Sequence, residues 1–198
     1  LASLIDTFAH AKTFGSLIQI PEALERGLPT LADGLGKAIQ SGDVFAQVAA
    51  QDVWPLVGQA TVLSMKVDAV VANPPYMGSK GMNTALKDYA KTTFPDSKAD
   101  LFAMFIERGF GWCKSAGFNS MVTMQSWMFL STYGVMRVRL LEDRTIVTMA
   151  HLGARAFSEI SGEVVQTTAF VLQGAHHAGF KPAFFRLVDG LEEYKENA

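Results

Sequence analysis

Residues 67–76, Val-Asp-Ala-Val-Val-Ala-Asn-Pro-Pro-Tyr, leave the chain few choices. Val67, Ala69, Val70, Val71 and Ala72 form an apolar run without polar alternation, which predicts a strand buried on both faces. Pro74 and Pro75 have no N–H to donate, so neither can extend a strand ladder. Each also drives the residue before it toward extended geometry. The strand therefore ends abruptly and presents Asn73 and Tyr76 at its carboxyl end. In an open α/β sheet that edge is where ligands bind.

Asn73-Pro74-Pro75-Tyr76 is identical to the motif of amino methyltransferases. The resemblance implies a reaction on an exocyclic NH2 group, most often N6 of adenine in DNA. Elementary chemistry agrees with it. An aromatic amine is a poor nucleophile because its lone pair is delocalised into the ring. The Asn73 side-chain oxygen and the Pro74 carbonyl can both accept hydrogen bonds from such an amine. Two acceptors stabilise the positive charge that develops on nitrogen as it attacks a methyl sulfonium. Tyr76 would stack on a base swung out of the helix. The competing reading is a strand and a proline turn in which Tyr76 merely packs.

A chain of 198 residues that is 49% hydrophobic and 18% charged suits one domain, or a large piece of one, with a sizeable core. No apolar run is long enough to span a bilayer, and no secretory signal pattern is present, so a cytoplasmic location is expected. Cys113 is the only cysteine, which excludes an internal disulfide and any multi-cysteine zinc site. The net charge of −2, from 17 basic and 19 acidic residues, argues against a self-sufficient DNA binder, because duplex affinity comes largely from Lys and Arg on phosphates. Leu1 is not an initiator methionine, and the chain is expected to be a fragment with its main DNA-gripping surface elsewhere.

Periodicity predicts a helix over residues 1–14, stopped by Gly15, and a short strand over Leu17–Ile20 ended by Pro21. Pro29 is expected to start a second helical region, weakened by Gly34, Gly36 and Gly42. A third helix over 43–64 is expected to kink or break near Pro55. After the strand at 67–72, a Gly-containing loop over 77–83 leads to a helix over 84–91. Asp96 or Ser97 is expected to cap the next helix, which runs to about Ser115. Strands are predicted at 118–124, 145–152 and 164–172, with an edge strand at 184–188, and a helix capped by Ser131 over 131–141. Residues 1–64 thus read as a helical lead-in and 65–198 as an α/β unit, mostly parallel with an antiparallel edge.

Four long words carry a closer resemblance: residues 73–83, Ser97 to Arg108, Val122 to Phe129 and Ala150 to Phe157. They are similar to the PglX-type (BrxX) adenine-specific DNA methyltransferases of BREX phage-defence systems. Ala11 to Ile18 also resembles that family's segment upstream of the catalytic strand. The resemblance implies a Rossmann-like class I methyltransferase sheet that uses S-adenosylmethionine. It implies double-stranded DNA with a flipped adenine as partner, other defence proteins as further partners, and methylation that marks host DNA as self. By the same resemblance Asp100, Leu101 and Phe102 border the cofactor pocket. Gln125, Ser126 and Trp127 belong to the substrate cleft, against the plainer reading that Trp127 and Phe129 are core. Phe157 touches the flipped base. His151 is a candidate proton acceptor or a structural histidine, and His176-His177 reads as a surface loop without a metal.

The family's glycine-rich cofactor turn is not found. Asp33-Gly34-Leu35-Gly36 has no buried strand leading into it and reads as a helix breaker. The chain is therefore expected to hold the carboxyl-terminal half of a catalytic domain, to bind S-adenosylmethionine weakly by itself and not to methylate DNA alone. Two rivals remain open. One is a methyltransferase that holds a protein glutamine amide, whose NH2 has the same donor geometry. The other is a non-catalytic scaffold that retains the fold.

Overall fold

The computed structural model describes residues 1–154 and 166–188. The chain forms two compact units, Leu1–Met65 and the residues from Lys66 onward.

The first unit is helical. Helix α1 spans Ala2–Phe8, α2 Ala11–Phe14, α3 Glu22–Ile39 and α4 Val44–Ser64. The predicted single helix over 1–14 divides at His10, whose backbone leaves the helical range (φ −116°, ψ 30°). Leu17–Ile20 forms no strand. A 3-10 turn over Gly15–Leu17 leads into it, and Leu17 and Ile18 are buried. Helix α3 begins at Glu22 behind Pro21 and continues through Pro29, rather than starting there. An internal proline costs about 3 kcal/mol. The burial of Leu24, Leu28 and Leu35 on one side of the helix offsets it. Helix α4 likewise runs unbroken through Pro55, and Asp43 caps it by accepting from the amides of Phe45 and Ala46.

The second unit is a mixed α/β fold: β1 (Val67–Ala72), α5 (Thr84–Thr93), α6 (Leu101–Trp112), β2 (Cys113–Met124), α7 (Gly134–Asp143), β3 (Thr145–Ala154), β4 (Gln166–Gln173) and β5 (Ala183–Arg186). The five strands lie in the order β1-β2-β4-β3-β5. Strands β1 and β2 are parallel, as are β3 and β5, while β4 runs antiparallel to both of its neighbours. The one antiparallel strand is therefore not at an edge: β4 is inserted between β2 and β3. Strand β5 is an edge strand, as its sequence predicts.

Helices α6 and α7 bury one face of this sheet. Phe102, Ala103 and Ile106 of α6 and Met136 and Leu140 of α7 share a core with Met121, Met149, Phe170 and Leu172 from three strands. Asp100 caps α6, not Asp96 or Ser97, because α6 starts only at Leu101. The expectation that β1 is buried on both faces fails. Val71 is 81% exposed, and Asp68 and Ala69 are exposed too. Val70 and Ala72 pack against the core that α6 and α7 form, while Ala69 and Val71 lie on the opposite face of the sheet. A shallow apolar trough lined by Val71, Val122, Ala150, Ala169, Val171 and Phe185 lies there.

Candidate active site

Parallel pairing puts the carboxyl ends of β1, β2 and β3 along one edge of the sheet. Ala72 pairs with Met121, so the turn Asn73–Tyr76 emerges beside the last three residues of β2. Asn73 and Pro75 are exposed, Pro74 is buried, and Tyr76 is half-buried. The Tyr76 hydroxyl lies 3.3 Å from Asn73 Oδ1 and 3.5 Å from the Val122 carbonyl oxygen. The tyrosine thus orients the asparagine so that its oxygen is the defined acceptor. Burial raises the pKa of Tyr76, which keeps it a neutral donor.

The turn is fastened from behind. The Met77 amide donates to Asp100 Oδ1 at 3.0 Å, and the Phe102 amide donates to the same oxygen at 3.2 Å. Gly78 and Asp100 form an antiparallel bridge. Burial raises the Asp100 pKa, while hydrogen bonds from the Met77, Phe102 and Leu101 amides oppose it. Phe102 meets the Tyr76 ring edge-on, with centroids 6.0 Å apart, and meets the Tyr133 ring at 5.9 Å. Tyr133 hydrogen bonds Ser126, and burial together with the nearby Asp100 charge pushes its pKa up to about 12.

The sequence-predicted residues therefore divide. Asn73 to Tyr76 sit together at the sheet edge, and Asp100 and Phe102 lie directly behind Tyr76. Asp100, Leu101 and Phe102 are all buried, Phe102 with 1% of its surface exposed. Trp127 is 4% exposed: its indole N–H donates to Thr123 Oγ1 and its ring packs on Phe170 at 5.3 Å. Trp127 is thus a core residue and has no face for a base, which corrects its assignment to the cleft. The exposed aromatic of that turn is Phe129, at 64%, with its ring 6.2 Å from that of His151. Burial and the Arg186 charge lower the His151 pKa, and its Nε2 is buried without a hydrogen-bond partner among the described residues. Phe157 lies outside the described residues.

Tyr133 and Gln166 belong to this neighbourhood, yet nothing in the sequence marks them. Gln166 accepts from the Gln125 amide across the start of β4. That pairing exists only because β4 returns antiparallel beside β2. The adjacent His176 and His177 bond to the Arg144 carbonyl and the Thr145 hydroxyl, and among the described residues no group of three or more His, Cys, Asp or Glu is placed to hold a metal.

Asn73 Oδ1 and the Pro74 carbonyl oxygen are both hydrogen-bond acceptors at this turn. Among the described residues the edge shows no glycine-rich turn between a strand and a helix. Gly15, Gly153 and Gly179 have positive φ among the described residues; they follow a short helix, lie inside β3 and lie between β4 and β5, so none joins a strand to a helix.

Residues 10–157 match the family described as Eco57I restriction-modification methylase. The chain is 55% identical over 190 residues to the adenine-specific methyltransferase BrxX of Escherichia coli O9:H4 (strain HS). It is 39% identical over 196 residues to the adenine-specific methyltransferase PglX of Lacticaseibacillus casei (strain Zhang). Both alignments take in 96% of this chain and 16% of the relative, so the chain spans about a sixth of the length of these curated relatives. Among solved structures, a nuclease-deletion mutant of the Type ISP restriction-modification enzyme LlaGI with a DNA substrate mimic matches at a TM-score of 0.56 and 13% identity, over 74% of this chain and 14% of that one. The DrdV–DNA complex matches at 0.51 and 14% identity, over 73% and 17%. At such identities the likeness is one of fold.

Proposed function

Because this chain belongs to the Eco57I restriction-modification methylase family, we propose that it forms the amine-holding half of an S-adenosylmethionine-dependent methyltransferase acting on N6 of adenine in DNA. The observation that carries this is the turn at the end of β1, where exposed Asn73 is oriented by the Tyr76 hydroxyl at 3.3 Å. The two curated relatives, both named adenine-specific methyltransferases, support it.

In this reading a flipped adenine stacks on Tyr76 and its N6 amine donates to Asn73 Oδ1 and the Pro74 carbonyl. S-adenosylmethionine supplies an electrophilic methyl group on a sulfonium. As the N–C bond formed and the S–CH3 bond broke to release the neutral thioether, nitrogen would become cationic; the two acceptors would stabilise that charge more than the neutral amine, and the surplus N–H proton would then pass to water. Pro74 and Pro75 hold the acceptors without offering a competing N–H. The cofactor's glycine-rich turn is not among the described residues. Residues 65–198 are assigned to the catalytic domain and 1–64 to a helical lead-in, and the base contact of Phe157 belongs to the same reading. With a net charge of −2, the main phosphate contacts are assigned to other parts of the protein. No helix among the described residues is long and apolar enough to cross a membrane, and the proposed setting is self-marking of DNA in phage defence within the cytoplasm.

In the intact protein, Asn73→Ala should cut methyl transfer to an adenine-containing duplex by about 100-fold or more, the scale for loss of one charge-stabilising group. Its melting temperature should not change, because Asn73 is exposed. Unchanged transfer of a labelled methyl group would sink the assignment. Competition by a glutamine peptide, but not by an oligonucleotide, would move it to a protein substrate.

A further inference from the structure

Tyr76 is held from two directions by a single turn of helix. Along the backbone, the residue after it is clamped: the Met77 amide donates to Asp100 Oδ1 at 3.0 Å, and the Met77 carbonyl accepts from the Leu101 amide at 3.1 Å. Two residues on, the Ser79 amide donates to the Ala99 carbonyl at 2.9 Å. Through the rings, Tyr76 rests edge-on against Phe102 at an interplanar angle of 84°, and Phe102 is itself fixed against buried Tyr133.

Both Asp100 oxygens face protein. Oδ1 takes two main-chain amides, one from the loop and one from the first turn of α6. Oδ2 points toward Gly78, 3.6 Å from where a Cβ on that glycine would stand. The residue is 9% exposed, which leaves little of its carboxylate for a ribose or an amino acid. Phe102 has no exposed face on which a nucleoside could lie.

We infer that Asp100 and Phe102 are positioning residues that set the Tyr76 ring for the flipped base, rather than contacts of the cofactor. The inference deepens the proposed function and rests on that reading. The physical requirement is geometric. A stacked base is productive only when its amine reaches both acceptors, and a misplacement of about 1 Å can cost about 100-fold in rate. Asp100 ties the chain leaving Tyr76 to the helix whose second residue supports the ring, so backbone and ring move as one body.

The test uses Asp100→Ala, Asp100→Asn and Phe102→Leu in the intact protein, with three readouts. The first is hydrogen exchange at the Met77 amide, which needs no activity. The second is S-adenosylmethionine affinity without DNA. The third is kcat on an adenine-containing duplex at saturating cofactor. Asp100→Ala should speed Met77 exchange at least tenfold, leave cofactor affinity within twofold and lower kcat between tenfold and a hundredfold. Asp100→Asn keeps an acceptor oxygen and should recover most of the rate. Phe102→Leu should lower kcat while Met77 exchange stays slow. Should Asp100→Ala fail to fold, the other two variants carry the same readouts. A cofactor affinity reduced tenfold or more with Met77 exchange unchanged would overturn the inference and return these residues to the cofactor pocket. An intact protein that does not methylate adenine would refute the proposed function, while Met77 exchange in the variants would still judge the clamp.

Discussion

The Tyr133 hydroxyl shows how much a single buried group can report. Its pKa is pushed up to about 12, first by burial, then by the Asp100 charge, against a hydrogen bond from Ser126. An unfolded tyrosine ionises near pH 10. Below that pH both states keep the proton, and the contribution to stability is intact. As pH rises from about 10 to about 12, the unfolded chain loses a proton that the folded chain retains, so stability falls. Urea unfolding followed from pH 9 to 11 should show this loss, and Tyr133→Phe should flatten it; parallel curves would refute the assignment. At this scale legibility is uneven. Asn73 to Tyr76 could be read because two prolines dictate backbone geometry wherever they stand. Trp127 could not, because a tryptophan just after a strand shows neither which way it turns nor that Thr123 waits for its N–H. Tyr133 drew no notice because its partners, Phe102 and Ser126, come from separate elements.

Among elements, α6 and β2 meet at a close approach. Asn119 is fully buried on β2 and donates from Nδ2 to the Ile106 carbonyl of α6 at 2.9 Å. Gly109 makes room for it: a Cβ there would stand 2.6 Å from Asn119 Oδ1. Gly109→Ala gains helix propensity but overpacks this point, and overpacking typically costs about 1–3 kcal/mol. Its denaturation midpoint should therefore fall; an unchanged or raised midpoint would show that Asn119 yields without cost. Element types were mostly legible, since the 3.6-residue and strand patterns are strong from residue 84 onward. The misreadings share one cause. Pro29 and Pro55 look like boundaries, and Leu17–Ile20 looks like a strand, only while the packing of α3 and α4 is out of view.

For the molecule as a whole, alternating strands and helices predicted a mostly parallel sheet with an antiparallel edge; four of the five strands do run the same way, but β4 makes two of the four pairings antiparallel. Two things were hidden. The position of β4 depends on long-range pairing that no local pattern encodes. The exposure of Ala69 and Val71 depends on which face of the sheet the helices pack against, which an all-apolar strand does not reveal. On the second unit exposed Val71 and Phe185 line one apolar trough, and on the first Phe45, Val48 and Val62 are exposed. Contiguous apolar surface on a folded protein marks a place meant to be covered. The 198-residue chain by itself should therefore enhance the fluorescence of a hydrophobic dye while fully folded. Val71→Asp should reduce that signal without lowering the melting temperature, because Val71 contributes little to the core. No dye response from the native chain would show that these side chains are shielded.

The clamp between Met77 and Asp100 joins residues 23 positions apart, and this bears on how the motif can be inherited. The four residues from Asn73 to Tyr76 are not a portable signature, since the helix start that steadies them lies downstream. A crossover between relatives that falls anywhere from Met77 to Phe102 splits one working part between two ancestries. Chimeras joined at Ala72 and Cys113 would keep the Met77–Asp100 clamp in one piece, while the Val122 and Tyr133 contacts to Tyr76 and Phe102 would come from the other parent.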